Sequence, residues 1–287
     1  MKQNSDTVDI YIASVKTLPT PPVVLIRLIT LFQQSDRDVD DVANLIRQDP
    51  SLTAGVLRHA NSACMVPDEP VTEVFDAIAL VGFAEVYNAV VTKLASQTLR
   101  FPKGMTGIDV DKLWRHSAIA AVCAAAIARE IGESESLAFT AGLLHDVGKI
   151  VFSLAEGARY TALTKKGGME GTEMQSLEMG LYGFDHAEVG ARLLEKWGLP
   201  AEISQPVGNH HLVNRGEALG RASATVSLGN ILAHGSEIKE PDKLFKTVEA
   251  MSALHVSKLK ETDLKRILQD SQKAIEQMTS ALESRSK

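Results

Sequence analysis

The stretch AGLLHDVGKIV, residues 141–151, sets His145 and Asp146 against an apolar run and follows them with Gly148 and Lys149. Two ionisable groups placed there are costly to bury unless something binds them. Further histidines share helical faces or helix ends where a bundle would converge: His116, His186 and the adjacent pair His210 and His211. Imidazole is a ready ligand for divalent transition metals, and a carboxylate such as Asp146 can bridge two ions. Lys149 lies three residues beyond Asp146 and so on its face of a helix. An ammonium there can neutralise a phosphate oxygen. The chemistry these residue types offer is metal binding with phosphate within reach.

Each position also has a plainer reading. His116 fits a satisfied core histidine, His186 a surface residue beside its capping Asp185, and His210–His211 a polar loop. Lys149 fits a solvated cation favoured near a helix C-terminus. His59, His234 and His255 read as structural or surface residues. The ordered set of five weakens the plain readings jointly.

The elements that must position these residues read as helices almost throughout. Thr20-Pro21-Pro22 resembles a cap with proline at the first helical position. Asp38 caps a helix carrying Val42 and Ile46, and Thr72 opens one that is interrupted near Gly82. The stretch VPDEP is a loop. Leu113, His116, Ala120, Cys123, Ile127 and Ile131 fall at steps of three and four, and Gly132 suits a left-handed stop. Asp185, with Glu188 three later, opens a helix that Gly198 and Pro200 close. No alternating β-branched runs occur, so the fold class is all-α. The Pro- and Gly-containing segment 102–109 marks the boundary between an N-terminal helical subdomain (1–105) and a helical bundle (106–287). Leu264, Leu268, Ser271, Ile275, Met278 and Leu282 form the seam of one C-terminal amphipathic helix. Packing back on the bundle is favoured over dimerisation, because the run is short for a coiled coil.

Composition excludes several partners. With 30 Lys plus Arg against 36 Asp plus Glu the net charge is −6, and no basic tract suits nucleic acid. No apolar stretch approaches a membrane span, and no secretory leader is legible, which points to a cytoplasmic chain. Cys123 sits in AIAAVCAAAIA as a small buried hydrophobe.

The order His116, His145-Asp146 with Gly148-Lys149, His186, then His210-His211 resembles the HD superfamily of metal-dependent phosphohydrolases. LPTPPVVLIRLITL, LIRQDPSLTAGVLRHANSA, AIALVGF, AGLLHDVGKIV and GFDHAEVGARLLEKWGLP bring it closer to HDOD proteins, the HD-related output domains of bacterial signalling. The resemblance implies an HD-type helical bundle and one or two divalent ions. His116, His145, Asp146 and Asn230 would hold one ion; Asp146, His186, His210 and His211 would hold the other. In catalytic relatives the metals clamp a phosphate and Lys149 would stabilise developing charge, making Asp146 and Lys149 the catalytic pair. Such a nitrogen-rich donor set favours Fe, Mn, Ni or Zn. Two departures stand out. Asn230, in SLGNILAHG, occupies the place of an aspartate ligand, so the first site is expected to bind more weakly. HHLVNRGEALG also lacks the Gly-Tyr-Pro of the cyclic-dinucleotide phosphodiesterases. Three functions remain open: a regulatory module with signalling protein partners, a phosphohydrolase acting on a nucleotide or phosphodiester, and a metal-free interaction scaffold.

Overall fold

The computed structural model describes residues 2–15, 18, 23–34, 38–63, 70–98, 107–167, 171–211, 220–237 and 245–283, and their regular structure is helical. The expected cap at 20–22, most of the VPDEP loop, residues 102–106 and the segment after His211 lie outside them. In chain order the first helices are α1 (Lys2–Ser14), α2 (Val23–Gln33), α3 (Val39–Arg47), α4 (Pro50–Ala63), α5 (Val74–Val81), α6 (Phe83–Thr98), α7 (Val110–Ile131) and α8 (Glu135–Leu144). They continue with α9 (Val147–Gly167), α10 (Gly171–Tyr182), α11 (His186–Lys196), α12 (Ala201–Asn209), α13 (Arg221–Glu237), α14 (Val248–Ser257), α15 (Glu261–Asp270) and α16 (Gln272–Glu283).

The caps follow from local chemistry. Asp38 accepts from the Asp40 amide, Asp109 from Lys112 and Asp185 from Glu188, each satisfying a donor that a helix start leaves unpaired. Gly132 stops α7 in the left-handed conformation at φ 71°. The helix expected to open at Thr72 begins at Val74, with Glu73 at its cap and Gly82 ending it.

The chain divides into two compact units, one of Pro19–Arg100 and one of Met1–Leu18 with Phe101–Lys287. The smaller contains α2 to α6, with Leu28, Ile46, Leu52, Val56 and Tyr87 buried in it. The larger contains every histidine of the proposed site. Its first segment differs from the expected 1–105 grouping: α1 packs on α11, where Arg192 grips Asp9 through Nε (3.2 Å) and Nη2 (2.5 Å).

The core of the larger unit gathers around α7. Ile119, Cys123 and Ile127 meet Leu228 and Leu232 of α13, Ala250 and Ala253 of α14, and Leu264, Ile267 and Ile275 beyond. Burial pushes the Cys123 thiol up to about 12, so it behaves as a hydrophobe. The C-terminal seam is two helices rather than one, parted at Ser271. Its buried positions are Leu264, Ile267, Ser271, Ile275 and Thr279, and both helices pack on α7. Deleting residues 261–287 should therefore remove three buried aliphatic side chains and expose the α7 surface they cover. At about 1.5–3 kcal/mol each, the loss is on the order of 5 kcal/mol, and thermal denaturation of the truncated chain should start well below that of the full chain. An unchanged melting temperature would show that α15 and α16 contribute nothing.

Contrary to the hydropathy expectation, residues 135–165 are long and apolar enough to cross a membrane by length and composition. They comprise α8 and α9 with the His145–Asp146 turn between them, and 83% of the most apolar window is buried in the protein. The pair α5–α6 meets the same test only jointly, across a bend of 118°.

Candidate metal centre

AGLLHDVGKIV folds as the end of α8, a turn at His145 and Asp146, and the start of α9. The turn turns both side chains into the bundle, leaving His145 fully buried and Asp146 only 3% exposed. His116 comes from α7, Asn230 from α13, and His186 is the first residue of α11. His210 and His211 directly follow α12. All are buried, which disposes of the surface and loop readings for His186 and His210–His211. Lys149 is also buried, so it is not the solvated cation of the plain reading.

Gly148 makes the approach of α9 to α11 possible. A Cβ there would lie 1.9 Å from the His186 carbonyl oxygen and 2.9 Å from the Gly190 nitrogen. Only a residue without a side chain allows Asp146 and His186 to come this close.

Asp146 is the hub. Its Oδ1 lies 3.3 Å from His186 Nε2 and 4.0 Å from His210 Nε2. Its Oδ2 lies 2.7 Å from Lys149 Nζ, 3.3 Å from His145 Nε2 and 3.9 Å from His116 Nε2. Two groups have ligand atoms within 4.8 Å of one another: His116 with His145 and Asp146, and His186 with His210 and His211. These are the two sets the sequence resemblance implies, short of Asn230 in the first and of Asp146 in the second.

Outer contacts aim the rings. His145 Nδ1 lies 2.7 Å from the Gly142 carbonyl and His210 Nδ1 2.6 Å from that of Val207. His186 Nδ1 lies 2.6 Å from Glu178 Oε2, and His211 Nδ1 3.0 Å from Glu249 Oε1. Carbonyls and carboxylates only accept, so each Nδ1 carries the proton and each Nε2 keeps a lone pair for the interior. His145 Nε2, His186 Nε2, His210 Nε2 and Asp146 Oδ1 are buried without a hydrogen-bond partner. Buried polar atoms are rarely left in that state, and this set has the donors of a transition-metal site. The residues fit a divalent ion.

The electrostatics agree. Burial, aided by His234 and His145, holds His116 well below the usual histidine range, and burial with His211 does the same for His210. Both stay in the neutral form that ligates metals. His186 differs: burial opposes charge on it as well, but the Glu178 and Asp146 carboxylates together raise that ring. Burial would raise Asp146, yet His145 and Lys149 beside it hold its carboxyl well below the carboxylate range.

Three neighbours lie outside the expected ligand set, one of them His234, which the sequence reads as structural or surface. His234 packs its ring 4.4 Å from that of His116, and burial lowers it to about 3. Glu178 is fully buried and accepts from Tyr160 Oη (2.6 Å), the His186 amide (2.8 Å) and His186 Nδ1. Glu249 also accepts from Ser227 Oγ at 3.2 Å. The spacing of His234, four after Asn230 on one helix, was a usable signal. The two glutamates had none, because their contacts depend on how separate helices pack.

An all-helical bundle that converges four histidines on one buried aspartate, with His211 grouped beside His186 and His210, defines an HD-type fold with a candidate metal centre. A sequence profile of the HDOD domain matches residues 18–213, and the chain belongs to the HDOD domain family. Among solved structures it resembles an HDOD domain protein of unknown function from Geobacter sulfurreducens: TM-score 0.79, 23% identity, 98% of this chain and 97% of that one covered. It also resembles a candidate phosphohydrolase from Shewanella amazonensis SB2B: TM-score 0.73, 20% identity, coverage 95% and 97%. At these identities the likeness is one of fold. An uncharacterized protein of Treponema pallidum is 25% identical over 196 residues, 68% of this chain and 37% of that protein. Ribonuclease Y of Acholeplasma laidlawii is 26% identical over 136 residues, 47% of this chain and 20% of the enzyme. The chain thus spans well under half the length of these relatives.

Proposed function

We propose that this chain is a regulatory HDOD module of bacterial signal transduction whose histidine-rich centre holds a divalent transition metal, Fe, Mn, Ni or Zn. The observation that carries it is the convergence of His145 Nε2, His186 Nε2, His210 Nε2 and Asp146 Oδ1, buried and without partners. A bound ion would supply Lewis acidity toward an anionic ligand such as a phosphate or nucleotide. The chain's own part is to orient the rings through Nδ1, to exclude water by burial and to keep His116 and His210 neutral. Signalling proteins are the partners this reading implies, in the cytoplasm.

The second reading is a phosphodiester hydrolase, favoured by the similarity to ribonuclease Y. Two features weigh against turnover: Asn230 brings no charge, and Lys149 is engaged by Asp146 rather than held ready for a phosphate. Elemental analysis of protein purified from metal-replete medium should find at least about one equivalent of transition metal. The loaded protein should leave bis(p-nitrophenyl) phosphate intact over hours with added Mn or Fe. Well under one equivalent would end the metal reading and leave the scaffold; steady turnover would establish the hydrolase instead.

A further inference from the structure

The two halves of the centre are built unequally. Around the first, each inward atom but one already has a partner. Lys149 Nζ sits 2.7 Å from Asp146 Oδ2, and Asn230 Oδ1 lies 2.9 Å from His116 Nε2. Whichever way the Asn230 amide is oriented, His116 Nε2 is engaged by it. His116 also differs from the other four rings in having this inward nitrogen, rather than an outer one, in a hydrogen bond. Only His145 Nε2 remains without a partner there.

The second half is the reverse. Asp146 Oδ1, His186 Nε2 and His210 Nε2 are all buried and unpartnered. Two further carboxylates stand behind its rings, Glu178 on His186 and Glu249 on His211, and carboxylates in that position raise ligand basicity. Formal charge follows the same division. The second half has Asp146, Glu178 and Glu249 to oppose a dication. In the first, the one carboxylate oxygen is shared with a cation, and Asn230 stands where the resemblance expects an aspartate.

We infer that this chain holds a single ion, at His186, His210, His211 and Asp146 Oδ1, and that the Lys149 ammonium on Asp146 Oδ2 takes the place of the other. The inference rests on the metal-binding reading above. Lys149 is then a built-in counter-cation of Asp146, which orients the carboxylate and leaves Oδ1 directed at the histidines of the second half. A second dication would have to displace a buried ammonium and break the His116–Asn230 contact without gaining a charged ligand.

The test is Mn2+ titration of the intact apo-protein, with calorimetry, elemental analysis of desalted samples and electron paramagnetic resonance. The wild type should take one ion and show an isolated six-line Mn2+ spectrum. His116→Ala should keep that ion within about threefold of the wild-type affinity, while His186→Ala should lose it. Glu178→Gln should weaken binding by about 10–100-fold, as expected when an outer partner of a ligand is removed. The double variant Lys149→Met/Asn230→Asp should take a second ion. Two ions in the wild type, with a spin-coupled spectrum, would overturn the single-ion assignment but keep the metal reading. So would loss of the ion in His116→Ala with retention in His186→Ala. No binding at all would overturn both. The wild-type spectrum decides the count even where a variant fails to fold.

Discussion

Asp146→Asn should abolish tight metal binding and also destabilise the metal-free protein. Asp146 lies within 4 Å of His116, His145, His186 and His210 Nε2 together, and it pairs with a buried lysine. Removing a first ligand that bears charge should cost at least about 100-fold in affinity, the upper range seen for outer-shell changes. The apo-protein suffers for a different reason. Its Lys149 ammonium would remain buried without its anion, and breaking a buried pair in this way costs about 3–5 kcal/mol. Adding Lys149→Met removes the stranded charge, so the double variant should regain most of the stability and none of the affinity. Chemical denaturation with a chelator present, beside Mn2+ titration, separates the two effects. An Asp146→Asn protein as stable as wild type without metal would mean that the pair contributes nothing to the fold.

Gly148→Ala should be the most damaging substitution of a single hydrogen in the larger unit. The added methyl would fall 1.9 Å from the His186 carbonyl oxygen. That oxygen is backbone at the first turn of α11, so it cannot rotate away as a side chain would, and α9 and α11 must separate. Overpacking of this kind costs about 3 kcal/mol, which for a chain of this size lowers the melting temperature by roughly 10 °C. Because His186 moves with α11, metal affinity should fall too. Gly180→Ala supplies the contrast. It lies in exposed helix with nothing within 4 Å of the added carbon, so there alanine should stabilise by up to about 1 kcal/mol. Equal melting temperatures for the two variants would refute the close approach.

What was legible in the sequence follows the range of the interactions. Helices, caps and the left-handed stop at Gly132 are set by neighbours within four residues, and periodicity finds them. The candidate ligand set was legible because few other roles suit His145-Asp146 in an apolar run, and family order added Asn230. The seam at Ser271 misled because its backbone stays near the helical region (φ −85°, ψ −7°). Helical hydrogen bonds run from Ser271 to Ile267 and from Ile275 to Ser271. The apolar spacing therefore keeps its phase across the break. Lys149 misled through composition, since a lone lysine gives no sign that a carboxylate three residues earlier will be buried with it. Glu178 and Glu249 reach their histidines only after α10 and α14 have packed, and no local pattern encodes that.

The hydrogen-bond partners of His116 and His211 also bear on where this protein can be cut. The recognisable HDOD segment ends at residue 213, yet Asn230 on α13 and Glu249 on α14 hold two of the rings from beyond it. At the other end, Asp9 ties α1 to the helix that begins with His186. A fragment trimmed to the homologous limits would carry all five histidines and still lack the groups that orient two of them. The unit of inheritance is shorter than the unit that must be expressed, and a binding assay on the excised domain would report on a differently furnished site.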